Sequence, residues 1–448
     1  MSPAIRVSMI SLGCARNLVD SEVLLGHAAG DGLEIAREPQ DADVVVVNTC
    51  GFIDDAKQES IDTLLSVCRL KESGDIKGVL AVGCLSERYA EELAAEIPEL
   101  DAVLGLSDYS SVPSLIRRLV EGEDRRFLAT VDGGEPRGPS NDVGRLVLTP
   151  KSYAYLRISE GCDHTCTFCA IPKMRGRHRS KPIDVLVEEA RSLAAQGIKE
   201  LVVIAEDSTA YGLDIDRERK IHVLLEELAD LDGIEWVRLM YAYPHTVRPE
   251  LTRVLREHPN LLPYLDIPIQ HVSARMLRAM KRGVSPDQMR DCLTRLRDEV
   301  PGIALRSTMI VGFPGETEED FQEMRAFIEE ICFERLGVFT YSREEDTPAH
   351  DLSDQVDAEV AQARRAEIMG LQKTILDENH SALVGQTLDV LIDGRDPEGE
   401  GWVGRTKADA PEIDCQVRFD APGLHSGDLI LARICGVEDY DLLAEIEA

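Results

Sequence analysis

The sequence predicts an α/β protein built from three parts: an N-terminal open parallel sheet, a central βα barrel and a small C-terminal β-barrel. Residues 5–121 and 155–377 alternate short apolar runs with amphipathic stretches, which is the rhythm of parallel β-α-β units. From residue 381 onward, short apolar runs are separated by Gly and Pro turns, a pattern typical of a small barrel. The central barrel, closed or partial, would place functional residues at the carboxyl ends of its strands.

The domain boundaries follow from these changes of pattern. Residues 132–141 contain many turn formers and almost no apolar side chains. A chain of 448 residues can form several domains that each bury their own core. The predicted divisions are an N-terminal domain at 4–122, a linker at 123–147, a central domain at 148–378 and a C-terminal domain at 379–448.

Individual elements are predicted from apolar runs and from helical periodicity. N-terminal strands are expected at 7–12, 44–48 and 79–83, and helices at 21–29, 56–70 and 89–97. Central strands are expected at 201–205, 236–241, 265–269, 304–311 and 337–341, and helices at 183–196, 273–280, 286–300 and 318–330. The C-terminal strands are expected at 387–392, 401–404, 416–419 and 428–435.

A cysteine lies just beyond each predicted N-terminal strand: Cys14, Cys50 and Cys84. One cysteine at such a place is usually structural, but open α/β sheets bind ligands along the edge where their strands end. Three strand ends can bring together three thiolates that are distant in sequence. A metal cluster site is therefore predicted there.

A second group, Cys162, Cys166 and Cys169, has the spacing C-x3-C-x2-C. One tight loop with this spacing can hold three irons of a 4Fe-4S cubane and leave the fourth iron without a protein ligand. A redox pair at Cys166 and Cys169, or half of a zinc site, is the alternative. No second cysteine pair follows at the spacing of a zinc ribbon, so the cluster is favoured.

This spacing, with Phe168 before the third cysteine, resembles the signature of radical S-adenosylmethionine (SAM) enzymes. The resemblance implies that the open iron binds the amino and carboxylate groups of SAM, and that Phe168 lies beside the adenine. Glu206 and Ser208, which follow a predicted strand, resemble the place where these enzymes meet the SAM amino group. A solvated acidic turn is the alternative for this segment.

The remaining cysteines are expected to be packed in the fold rather than to bind metal. Cys68, Cys292 and Cys332 lie in amphipathic helical patterns, and Cys415 and Cys435 have apolar neighbours in the C-terminal region. His164, inside the cysteine loop, is expected to be exposed or hydrogen-bonded rather than bound to iron.

The chain carries a net charge of −33, which on average repels phosphate and suits a basic protein partner, although such a charge is also common in soluble proteins. Residues 173–181 are an exception, with five Lys or Arg. Their charge could bind phosphate, but stabilisation of an anionic cluster and of the SAM carboxylate is favoured. The sequence shows no signal peptide and no apolar run of bilayer length, so a cytoplasmic protein without membrane contact is expected.

The whole chain resembles the methylthiotransferases, and its C-terminal region resembles a TRAM domain. The strings 11–21, 48–53 and 408–414 look like the RimO branch, which modifies an aspartate of a small-subunit ribosomal protein. Glu206 stands where glutamine is more common in that branch, and Cys415 where glycine is. From residue 381 there are fifteen acidic and five basic residues, which favours a basic polypeptide over RNA.

The resemblance implies two 4Fe-4S clusters, one on Cys162, Cys166 and Cys169 and one on the three N-terminal cysteines. One SAM would be cleaved to a radical, another would supply the methyl group, and the methylthio group would reach the aspartate β-carbon. No side chain is assigned as a general base. An electron donor and a basic ribosomal protein are the expected partners, with RNA contacted only through the ribosome. The alternatives are a transfer-RNA adenosine methylthiotransferase of the MiaB type and a non-catalytic iron-sulfur scaffold or redox sensor.

Overall fold

The computed structural model describes residues 4–106, 109–122, 127–129, 141–397 and 399–446. Within these ranges the chain forms two parallel α/β sheets and a closed five-stranded barrel, which confirms the predicted fold class. No helix in the same ranges has the length and apolar character needed to cross a bilayer.

The N-terminal sheet has six parallel strands in the order β2-β1-β3-β4-β5-β6. The strands are β1 Arg6–Ser11, β2 Glu34–Ile35, β3 Val44–Thr49, β4 Gly78–Gly83, β5 Ala102–Leu104 and β6 Phe127–Ala129. The helices are α1 Ala15–Gly30, α2 Asp54–Glu72, α3 Cys84–Arg88, α4 Ala90–Glu96 and α5 Val112–Glu121. Strands β3 and β4 are buried along their whole length, and this explains why they are continuous apolar runs in the sequence.

Two features of this domain differ from the sequence expectations. Helix α1 begins directly after Cys14, six residues before the predicted start, because the polar Arg16 and Asn17 interrupt the apolar pattern of its first turn. Strand β6 pairs with β5 inside the range predicted as a linker, and Asp142 and Arg145 near the end of that range are buried. Residues 123–126 and 130–140 of the predicted linker lie outside the described residues.

The central sheet also has six parallel strands, in the order β14-β13-β12-β11-β10-β7, and it does not close into a barrel. The strands of this region are β7 Tyr153–Arg157, β8 Ser159–Glu160, β9 Arg179–Ser180, β10 Glu200–Ile204, β11 Trp236–Leu239, β12 Leu261–Asp266, β13 Ala304–Val311 and β14 Arg335–Thr340; β8 and β9 form a separate antiparallel pair. The helices are α6 Ile171–Met174, α7 Ile183–Ala195, α8 Leu213–Asp216, α9 Ile221–Ala229, α10 Pro249–Glu257, α11 Ala274–Ala279, α12 Pro286–Glu299, α13 Glu318–Ile331 and α14 Ala358–Leu383. The sheet is thus the partial form of the predicted parallel barrel.

Strand β12 begins at Leu261, four residues before its predicted start, and ends at Asp266, three residues before its predicted end. The predicted segment 265–269 still follows β13, since Ile267 N–H donates to Arg306 O and Gln270 N–H donates to Thr308 O. Regular pairing nevertheless stops at Asp266, because Pro268 has no amide donor and Gln270 has a left-handed φ of 71°. The bend turns Gln270 toward the rim of the sheet.

The C-terminal barrel has the strand order β15-β16-β17-β19-β18. Its strands are β15 Thr387–Arg395, β16 Trp402–Arg405, β17 Val417–Phe419, β18 Leu429–Glu438 and β19 Asp441–Ile446. Strand β19 closes the barrel, because it pairs in parallel with β17 and antiparallel with β18. The closure leaves the barrel without a free sheet edge.

The concave face of the central sheet is covered by the other two domains. Tyr155 and Tyr264 of the sheet pack in one apolar cluster with Val19 and Val23 of α1 and with Ala410 of the C-terminal domain. A buried ion pair crosses the same interface, because Arg405 Nη1 of the barrel lies 2.7 Å from Glu200 Oε2 of the central sheet. Asp393, also in the barrel, holds the arginine in place with its Oδ2 2.7 Å from Arg405 Nε. The three domains therefore form one continuous packed unit.

Five cysteines were expected to be packed in the fold. The structure confirms this for Cys68, Cys292 and Cys415, which are buried. The expectation is wrong for Cys332 and Cys435, which are exposed. Cys332 ends α13 with a left-handed φ of 52°, outside the helical pattern, and Cys435 lies on the outward-facing side of β18.

Candidate active site at the meeting of two cysteine groups

The first cysteine group, Cys162, Cys166 and Cys169, lies on a loop between β8 and α6. Gly161 enters this loop with a φ of 75°, and a Cβ at that position would be 2.2 Å from Arg177 O. Cys162 N–H donates to Gly176 O at 3.1 Å, and Thr167 N–H donates to Met280 O at 3.2 Å. The loop is thus held on both sides by backbone hydrogen bonds, and only glycine fits at its start.

The thiols of this group are held largely away from water. Burial raises the pKa of Cys162 and of Cys169 to about 12. Arg282 Nη1 lies 3.4 Å from Cys166 Sγ and brings a positive charge to the loop. Metal binding would have to displace thiol protons here, and the arginine would offset part of the negative charge that results.

These cysteines open onto a cavity of about 250 Å³ beyond the carboxyl ends of the central strands. Phe168, Glu206 and Gln270 line it from the central domain, and Arg16 and Phe52 line it from the N-terminal domain. Two domains therefore contribute to one cavity.

Two of the three residues predicted near SAM line this cavity. Phe168 does so, and so does Glu206, whose side chain is only 4% exposed. Neither carboxylate oxygen of Glu206 has a hydrogen-bond partner among the described residues, although Oε1 lies 3.3 Å from Arg16 Nε. Burial raises the pKa of Glu206 to about 7 despite the charge of Arg16. A buried carboxylate that faces a cavity without a hydrogen bond fits a cationic ligand group.

Ser208 is in a different position. It is fully buried, its hydroxyl donates to Met240 O at 2.6 Å, and its backbone N–H donates to Tyr241 O at 3.0 Å. Ser208 thus joins the ends of β10 and β11 and does not line the cavity.

His164 is hydrogen-bonded, as expected from the sequence. Its Nε2 lies 2.7 Å from Asp207 Oδ2, and its ring stacks on Tyr243 with the centroids 4.0 Å apart. These contacts fix the ring at the side of the cavity.

The second cysteine group, Cys14, Cys50 and Cys84, lies at the ends of β1, β3 and β4, which are adjacent in the N-terminal sheet. Cys14 precedes α1, Cys50 directly follows β3 and Cys84 is the first residue of α3. Gly13 lies against Cys50, because a Cβ on Gly13 would be 2.7 Å from the Cys50 Cβ. The three cysteines thus lie along one carboxyl edge of the sheet.

Asn17 organises this group, and the sequence analysis did not identify it. Its Nδ2 donates to Leu12 O at 3.0 Å and to Thr49 O at 2.9 Å, and its Oδ1 lies 3.4 Å from Cys84 Sγ. One buried amide therefore contacts all three strand-end loops. Its position in the first helical turn after Cys14 was the available signal.

Arg175 is the main positive charge beside the second group. Its Nη2 lies 3.6 Å from Cys84 Sγ and 2.9 Å from Asp20 Oδ2, and its Nη1 lies 3.1 Å from Glu160 Oε2. The segment 173–181 was expected to serve the neighbouring cysteine loop, but the structure places its buried Arg175 against Cys84. Helix α6 follows the first cysteine group and ends directly before Arg175, so it connects this group to the arginine beside Cys84.

The electrostatic environment differs among the N-terminal thiols. Burial raises the pKa of Cys84 to about 12 and also raises the pKa of Cys50. The surrounding protein also disfavours the ionised thiol of Cys14, but the charges of Arg16 and Arg175 outweigh this effect and lower its pKa. Cys14 is therefore the thiol of this group that ionises first.

The two cysteine groups are neighbours. Cys84 belongs to an apolar cluster with Ile171 and Met174, and Cys162 and Cys169 pack against the same cluster. No three His, Cys, Asp or Glu side chains in the described ranges converge closely enough to hold one metal ion. A 4Fe-4S cluster does not require three ligands at one metal ion, because each thiolate binds its own iron and the thiolates are spread around the cluster.

Comparisons with known proteins agree with this architecture. Three family models match successive parts of the chain: Uncharacterized protein family UPF0004 at residues 6–105, the Radical SAM superfamily at residues 156–328 and the TRAM domain at residues 384–446. The fold is similar to that of the radical S-adenosylmethionine methyltransferase TsrM from Kitasatospora setae. The TM-score is 0.55 at 17% identity, over 78% of this chain and 77% of that structure, so this likeness concerns the fold alone.

The fold and the matched domain define a radical SAM enzyme, which works with an iron-sulfur cluster and SAM. The ribosomal protein uS12 methylthiotransferase RimO of Anaeromyxobacter sp. (strain Fw109-5) is 46% identical over 444 residues, which cover 99% of this chain and 93% of the relative. The RimO protein of Symbiobacterium thermophilum is 45% identical, over 98% of this chain and 91% of the relative. The chain belongs to the RimO family of methylthiotransferases.

Proposed function

We propose that this protein adds a methylthio group to the β-carbon of an aspartate in ribosomal protein uS12. The observation that carries the proposal is the meeting of two three-cysteine groups from different domains, with Arg16 of the N-terminal domain in the cavity of the central domain. The full-length relatives named for this activity support it.

Six cysteines would hold two 4Fe-4S clusters: Cys14, Cys50, Cys84, Cys162, Cys166 and Cys169. The donor set fits, because each group supplies three thiols and leaves one corner of a cubane for a small ligand. When bound, these groups supply reductive cleavage of SAM at the central site and a methylthio sulfur at the N-terminal site. Arg282 and Arg175 would offset the negative charge of the two sites.

The chain's own residues would hold SAM. Glu206 would accept hydrogen bonds from the SAM ammonium group, which would satisfy its unbonded carboxylate oxygens. Phe168 would lie beside the adenine. Ser208 would act indirectly, by fixing the ends of β10 and β11 that carry the cavity wall.

The substrate would be a basic protein rather than RNA. The C-terminal domain carries fifteen acidic and five basic residues from position 381, and this charge opposes phosphate, which disfavours the transfer-RNA alternative. The reaction would also need an external electron donor, and a ribosomal substrate would place it in the cytoplasm.

The test uses the anaerobically reconstituted full-length protein with SAM, dithionite and either uS12 or transfer RNA. Mass spectrometry should show a methylthio group in place of one hydrogen on uS12 and no change on transfer RNA. Methylthiolation of transfer RNA alone would overturn the substrate assignment.

Cysteine variants test the two-cluster arrangement. Replacing Cys14, Cys50 and Cys84 by Ala should remove about half of the iron and abolish methylthiolation, while 5'-deoxyadenosine is still formed from SAM. The control replaces the exposed Cys332 and Cys435 by Ala and should change neither readout. Unchanged iron and activity in the triple variant would exclude the N-terminal cluster.

A further inference from the structure

Arg16 belongs to the N-terminal domain but extends into the cavity of the central domain. It lies in the first turn of α1, and its side chain is 13% exposed. Its Nη1 donates to Ala205 O at 2.7 Å, and its guanidinium carbon lies 5.0 Å from the centre of the Tyr241 ring. These contacts fix the guanidinium at the boundary between the two domains.

The guanidinium has donors left over. Arginine carries five N–H groups, and within the described ranges its one hydrogen bond is that of Nη1 to Ala205 O. The buried Nε has no hydrogen-bond partner, and Nη2 makes no hydrogen bond in the same ranges. An arginine with open donors at a cavity is suited to bind a carboxylate through two parallel hydrogen bonds.

The other arginine of the cavity is more fully engaged. Arg282 directs Nη1 to Cys166 Sγ and Nη2 to Pro268 O, and it stacks over the Tyr243 ring at 4.2 Å. Both terminal nitrogens of Arg282 are therefore used by the protein. Arg16 is the better candidate for an anionic ligand group.

The position of Arg16 matches the demands of the proposed reaction. The aspartate β-carbon has to be reached from the SAM side to lose hydrogen and from the N-terminal cysteines to gain the methylthio group. Arg16 is near both groups, because it follows Cys14 by two residues and lines the same cavity as Cys162 and Cys169. In aspartate the carboxylate is bonded directly to the β-carbon. A cation that holds this carboxylate between the two cysteine groups would therefore also place the β-carbon between them.

We propose, on the basis of the proposed function, that Arg16 binds the carboxylate of the target aspartate and thereby selects aspartate over asparagine. SAM would strengthen this contact. An ammonium group held by Glu206 would balance the negative charge that faces Arg16 Nε at 3.3 Å, and the guanidinium would then be free to bind the carboxylate of the aspartate.

The experiment measures binding of uS12 and of a uS12 variant with asparagine at the modified position. The reconstituted enzyme is saturated with SAM and kept without reductant, and binding is followed by anaerobic titration calorimetry. The wild-type enzyme should bind the aspartate form roughly 10- to 100-fold more tightly, which is the usual effect of charge-assisted hydrogen bonds. Equal affinities would overturn the proposal.

Enzyme variants assign the preference to Arg16. Arg16→Gln should remove the preference, and Arg16→Lys should keep part of it, because lysine retains the charge but not the planar fork. The preference is measured on preparations of each variant whose iron content and SAM binding have been compared with those of the wild type. Arg256→Gln, on the surface of α10, is the matched control.

Three outcomes separate the explanations. A preference that persists in Arg16→Gln overturns the proposal. Loss of SAM binding in that variant assigns Arg16 to the SAM carboxylate instead and also overturns it. If the wild-type enzyme cleaves SAM but never modifies uS12, the proposed function itself fails. A variant that does not assemble its clusters still leaves the comparison of the two uS12 forms on the wild-type enzyme as a decisive test.

Discussion

Replacement of Arg175 by Met should destabilise the protein and weaken iron binding at the N-terminal cysteine group. The change removes the buried contacts to Asp20 and Glu160 and the positive charge beside Cys84. Loss of one partner from a buried ion pair usually costs about 3–5 kcal/mol. Arg157 also contacts both carboxylates at 2.5 Å, so we expect the lower end, about 3 kcal/mol.

The same change should act on the thiols. Arg175 opposes the effect of burial on the pKa of Cys84 and Cys50, so its removal raises both values further. Each additional pKa unit lowers the thiolate fraction about tenfold at neutral pH. Assembly at the N-terminal site should therefore fail first, with about half of the iron lost.

The assay combines anaerobic iron counting with urea unfolding of the apoprotein. Arg175→Lys should retain part of the iron because it keeps the charge, and the surface variant Arg256→Met should match the wild type. An Arg175→Met protein with full iron content and an unchanged unfolding midpoint would refute the reasoning.

Three further results are expected. SAM affinity should increase as the pH rises through about 7, because Glu206 is neutral below that value and charged above it; Glu206→Gln should flatten the profile, and a profile unchanged by the substitution would contradict the role of Glu206. Gly13→Ala should lower the iron content by about half with SAM cleavage preserved, because its Cβ would collide with Cys50; full iron content would argue against this packing. Arg405→Met should destabilise the docking of the C-terminal barrel by about 3 kcal/mol, the lower end of the usual cost, because Glu200 loses one buried partner but keeps Arg238; the barrel should become sensitive to limited proteolysis, and unchanged protease resistance would contradict this.

The sequence predicts the part of the site that depends on local order. Cys14, Cys50 and Cys84 could be grouped because parallel strands end at one edge, and the other three cysteines are close in sequence. Strand β13 has its predicted bounds, because the residue types within the strand are themselves sufficient to indicate a mostly buried strand.

The features of the site that the sequence does not predict depend on contacts between residues that are far apart in the chain. Arg16 and Asn17 look like polar residues of an ordinary first helical turn, and only the packing of two domains gives them their roles. Ser208 was expected at the SAM amino group, but its hydroxyl turns inward to Met240 O, and no local pattern encodes that direction. The basic segment 173–181 was likewise expected to act on the cysteines that are nearest in sequence, whereas Arg175 lies beside Cys84, which is distant in sequence.

The covered concave face of the central sheet has a consequence for how a ribosomal protein is engaged. Helix α1 and the segment around Ala410 already fill the trough of the half-barrel. A broad globular surface therefore cannot bind to this face. We expect the substrate protein to insert a narrow hairpin or loop at the edge of the sheet instead. The enzyme would then select its residue as much by how far that residue protrudes from its parent protein as by the amino acids around it.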